Sequence, residues 1–142
     1  MANDKSIFPE DMINKSSGNT AMSLEEIASQ LTYFHEQLHL MHWQTTNKAQ
    51  HEALGALYEY IQDFKDDVIE KLMGYTNKRI KAYRINHLLK EGLDPKVVVG
   101  VVETFAHSLY EWAEEQKYCD IENIAQDLSG KAAKTKYLLT LS

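Results

Sequence analysis

Over residues 23–44 apolar side chains return every three or four positions: Ile27, Leu31, Phe34, Leu38 and Met41. That period is helical. The opening Ser23-Leu-Glu-Glu26 supplies a start, because the Ser23 hydroxyl can accept from the Glu26 amide while Glu26 reaches back. A second run, Leu54, Leu57, Ile61, Phe64, Val68 and Leu72, predicts a helix that starts near Lys48, behind Asn47-x-x-Gln50, and ends near Gly74. Lys65 falls inside that apolar arc and must snorkel. Over residues 75–93 the period weakens, and a short helix is expected only around INHLLKEG. Asp94-Pro95 reads as N-cap and first-turn proline of a third helix, ending near Gln116. Asp120 is the expected cap of a fourth, ending near Leu141. Residues 1–22 are polar, have no period and read as a flexible N-terminal tail. Residues 23–142 then form one domain, an all-α, antiparallel four-helix bundle.

Composition supports helices over strands. Glycine and proline are scarce, at 6 and 2 in 142 residues, and the helix formers Leu, Ala, Glu and Lys are plentiful. A single cysteine, Cys119, allows no disulfide within the chain and fits a reducing compartment. No apolar run approaches the roughly 18 residues of a membrane span, and no signal-peptide core opens the chain. The expectation is a soluble cytoplasmic protein. The formal charge of −6 argues against DNA as a partner. The usual basic tail is missing, since Lys5 and Lys15 are outweighed by Asp4, Glu10 and Asp11.

The chemistry lies in HLMHWQTTNKAQHEAL and, further on, DFKDDVIEKL. On a helical wheel of about 100° per residue, His35, His39 and His42 share one edge of the first helix, and His42 is nearest its apolar stripe. On the second helix Glu59, Asp63, Asp66 and Glu70 form an acidic stripe facing away from the apolar one. Asp66 and Glu70, at i and i+4, can hold one ion between them. His51 precedes Asp66 by fifteen residues, or roughly 22 Å of helix, so no ion bridges that pair in one chain. An antiparallel two-fold pairing through the first two helices would bring one chain's histidines to the other's carboxylates, giving two identical sites. Mixed imidazole and carboxylate ligands suit Fe or Zn, and open positions suit iron oxidation.

These residues resemble the Dps family, the mini-ferritins, and a short diverged member of phage type in particular. The family is marked by His-Trp at the end of the first helix, here His42-Trp43. His-Glu opens the second, here His51-Glu52, and D-x-x-x-E follows, here Asp66 and Glu70. The resemblance implies a ferritin-like fold and a ferroxidase centre shared by His42 and His51 of one subunit with Asp66 and Glu70 of its mate. It further implies Fe(II) oxidation by peroxide or dioxygen in a homo-oligomer, in the family a dodecameric shell. His39 and Asp63 are possible extra ligands, and Zn a possible substitute metal. The chain departs from the pattern in three respects. The turn before His51 is three residues shorter, Gly55 stands where many members carry a further carboxylate, and the connector after the second helix is short while the tail is not basic.

Other readings of the same residues are less chemical. A di-iron bundle needs two inward Glu-x-x-His pairs, and Glu36-x-x-His39 is the one present. His35 and His39 are expected to orient other groups, and Trp43 to anchor an interface. His87, His107 and Cys119 have no ligand or nucleophile context. The second functional expectation is a metal-free helical interaction protein that keeps the bundle and has lost the centre.

Overall fold

A computed structural model of the chain describes residues 22–85 and 87–142. The expected flexible tail lies outside them, apart from Met22. That side chain is buried and packs on the core, so the domain begins one residue earlier than its cap suggests. Four helices account for the regular structure of the described residues: α1 (Leu24–Gln44), α2 (Lys48–Thr76), α3 (Pro95–Gln116) and α4 (Cys119–Leu139). No strand is present among those residues.

The caps explain most of these limits. Ser23 and Glu26 make the reciprocal capping box, at 3.0 and 3.1 Å. Asn47 accepts from the Gln50 amide at 2.9 Å, but the Gln50 side chain does not complete a box. It accepts instead from the Thr45 hydroxyl at 2.8 Å, and Thr45 Oγ1 receives the Asn47 amide at 3.1 Å. The turn of Thr45, Thr46 and Asn47 is therefore braced by its own side chains. α2 passes Gly74 and stops two residues later, because Asn77 takes the left-handed conformation, φ 55°, and ends the ladder. Lys117 does the same for α3 at φ 64°, with the Tyr118 amide reaching back to the Ala113 carbonyl. Asp120 is not the cap of α4. The helix starts at Cys119 with no side-chain cap, and Asp120 sits in its first turn, where a carboxylate favours the helix dipole.

Every apolar position expected to face inward on α1 and α2 is buried. α1 packs along α2, α3 along α4, and α2 along α4, with a lighter α1–α3 contact. Phe34 and Phe105 join that last pair edge to face at 5.6 Å. Lys65 snorkels as expected: half-buried, it sends its ammonium back to Thr32 Oγ1 at 3.1 Å.

The connector after α2 departs from expectation. Its described residues contain no helix around 85–92. It runs along α1 and is fastened about once per helical turn. The Lys81 amide donates to Glu25 Oε2 at 2.8 Å, and the Arg84 carbonyl accepts from Ser29 Oγ at 2.7 Å. His87 leans on the Tyr33 ring, with centroids 5.2 Å apart, and Lys90 exchanges two 2.9 Å bonds with the Gln37 side chain. These bonds take backbone groups that a local helix would need. Glu25 to Gln37 is twelve residues of helix, about 18 Å, so the connector carries the chain most of the way along α1 before α3 begins.

Candidate metal centre

The short brace between α1 and α2 sets His42 against His51. His42 Nδ1 donates to the His51 carbonyl at 2.7 Å, and His51 Nδ1 donates to the His42 carbonyl at 2.9 Å. A carbonyl only accepts, so both Nδ1 atoms carry a proton, and in the neutral ring each Nε2 keeps the lone pair. The His42 carbonyl lies in the last turn of α1, where helix carbonyls lack intrahelical partners. The reciprocal pair thus closes a helix end and fixes two tautomers at once. This is how ligating imidazoles are usually held, with the far nitrogen on a backbone carbonyl.

The rings stack with centroids 3.7 Å apart and planes 20° apart. Lone pairs lie in the ring plane, and planes so nearly parallel do not converge within the roughly 2 Å of a metal–nitrogen bond. An ion here would therefore meet one of these nitrogens, or both once the stack opens. Gly55 lies directly beneath. A Cβ there would stand 2.9 Å from His42 Cε1 and 3.0 Å from Nδ1. The place where the family resemblance puts a carboxylate is filled by the His42 ring, so the glycine has a packing reason of its own.

Two further imidazoles continue the row along α1. His39 and His42 centroids are 6.0 Å apart, and His35 and His39 are 5.6 Å apart. Tyr58 of α2 touches three of them: stacked on His39 at 4.2 Å, edge-on to His35 at 5.3 Å and to His42 at 5.2 Å. Trp43 covers the other face of His39 at 3.8 Å while remaining 66% exposed. Sequence reasoning missed Tyr58 as the hub of this cluster. The signal was present, because His51, Gly55 and Tyr58 fall on one face of α2 at helical spacing.

The carboxylates stand elsewhere. Glu59, Asp63, Asp66 and Glu70 are all exposed on α2, and none joins the His42–His51 pair within the chain. Asp66 and Glu70 make no ion pair or hydrogen bond among the described residues. Asp63 and Asp66 border an open depression shared with Lys65, Ile69 and, from the connector, Tyr83.

The chain matches a family of unknown function, DUF5856, over residues 42–139. That is most of its length, and the match opens on His42 itself. The chain belongs to the DUF5856 family. No curated protein and no solved structure matches it. The DUF5856 match takes in α2, α3, α4, the connector and both histidines of the reciprocal pair, while His35 and His39 lie before it.

Proposed function

We propose that this chain is a ferritin-like iron protein of Dps type, which binds Fe(II) as substrate and oxidises it with peroxide or dioxygen. The observation that carries the reading is the reciprocal His42–His51 pair, which leaves the Nε2 of two stacked rings outside the backbone bonds. The connector adds to it. α2 folds back along α1, the connector then returns along α1, and α3 sets off from that end, packed on α4 and lightly on α1. A single long crossover of this kind is what separates ferritin-like bundles from simple up-down ones.

In this reading the histidines of one protomer work with Asp66 and Glu70 of the partner subunit, in a two-fold pairing through α1 and α2. The carboxylates attract Fe(II) and hold it, and the imidazoles fill part of an open coordination sphere. Two Fe(II) ions give one electron each to a peroxide, which takes up two protons and leaves as two waters. The backbone bonds to Nδ1 keep both rings in the tautomer that can ligate.

Anaerobic Fe(II) titration followed by a peroxide pulse, read by near-ultraviolet absorbance, tests this. Saturable uptake and fast oxidation in the natural chain, both lost in His51→Ala, are expected. Oxidation no faster than buffer overturns the proposal. The second reading, a metal-free interaction protein, is favoured by the near-parallel His42 and His51 rings and by Gly55. It expects Fe(II) to leave the melting temperature unchanged.

A further inference from the structure

We propose that His35, Glu36 and His39 form a separate metal site, complete within one chain, for a divalent first-row transition ion that accepts imidazole and carboxylate ligands, such as Zn(II) or Co(II). The three residues lie on one helical turn of α1 and span about 100° of its face. Each offers a ligand atom, and those atoms lie within 4.8 Å of one another. Two imidazoles and one carboxylate on one face form a donor set that leaves further positions open to water.

The surroundings favour a ligand over a simple ion pair. His35 Nδ1 and Glu36 Oε2 are 3.2 Å apart, while His35 Nε2 is buried and has no partner. A buried ring nitrogen without a partner is uncommon, and a bound ion with its waters is one way to supply what the protein does not. His39 is clamped between Trp43 and Tyr58, so its plane is fixed. No hydrogen bond from the described residues reaches either of its nitrogens. A preoriented imidazole with free nitrogens loses little freedom on binding an ion.

The site differs from the pairing proposed above in needing no second subunit and neither His42 nor His51. Co(II) titration of the full chain tests it, followed by visible absorbance and by the quenching of Trp43, whose ring lies against His39. In His51→Ala, one Co(II) per chain is expected to quench the fluorescence that Trp43→Phe removes. Glu36→Gln, at an exposed position that cannot unfold the helix, and His35→Gln are each expected to weaken binding by about tenfold or more. His51→Ala is expected to leave it unchanged. Co(II) affinity that survives both substitutions, measured in the His51→Ala background, overturns the site, as does affinity lost in His51→Ala and kept in Glu36→Gln. These outcomes are independent of iron oxidation, so the two proposals stand or fall separately.

Discussion

Two preferences pull in opposite directions at Gly55. In a helix interior, alanine is favoured over glycine by about 0.5–1 kcal/mol. Here an added methyl would meet the His42 ring at 2.9 Å, and that ring is tied by its Nδ1 to the His51 carbonyl. The ring cannot swing aside without breaking that solvent-exposed hydrogen bond, a loss of up to about 1 kcal/mol. Gly55→Ala is therefore expected to lose the gain of the better helix former, leaving the unfolding free energy unchanged or lower by up to about 0.5 kcal/mol. In a His42→Ala background the same change is expected to raise stability, by up to about 1 kcal/mol. Urea unfolding of the four proteins of this cycle checks it, and equal effects in both backgrounds would refute the steric account. The histidines and their sharing of one edge of α1 were readable from the sequence. Their mutual bonding was not, because it depends on a turn braced by Thr45 and by Gln50, and the Gln50 side chain had a simpler helix-capping use.

The four helices were legible because each carries a strong apolar period, and caps at Ser23, Asn47 and Asp94 sit where their chemistry requires. The connector was not, since extended chain held by side chains of another helix leaves no period of its own. Leu88, 80% exposed, misled in particular, for it is apolar without being buried. Glu25 gives the connector a pH dependence. The Lys81 amide it accepts holds its carboxyl below the usual 4.5, against a smaller opposing effect of burial. A carboxyl with a lowered folded value stabilises above its unfolded value, and that contribution fades as pH falls through the lowered one. Glu25→Gln is isosteric and removes the charge. The natural chain is expected to be the more stable of the two near neutrality, and the gap to close below pH 4.5. Thermal melts of both across that range measure it. A gap that stays constant into acid would mean the carboxylate charge does not fasten the connector.

At the scale of the whole molecule, the distance along α2 is the deciding quantity. His51 and Asp66 are both on this one helix, roughly 22 Å apart, so any centre that uses both must be assembled from two chains. In the proposed two-fold pairing the consequence is sharp, because each site would take its histidines from one subunit and its carboxylates from the other. Consider one variant with His42→Ala and His51→Ala, and a second with Asp66→Asn and Glu70→Gln. Each alone is expected to lose peroxide-dependent Fe(II) oxidation. In a mixed dimer, one site receives both damaged halves and the other receives both intact ones. Unfolding and refolding the two variants together at equal amounts should restore about a quarter of the natural rate, since half of randomly paired dimers are mixed and each has one good site of two. Refolding each variant alone should restore nothing. A mixture as inactive as its parts, with mixed dimers shown to be present by mass, would sink the shared centre and leave any metal chemistry to residues of a single chain.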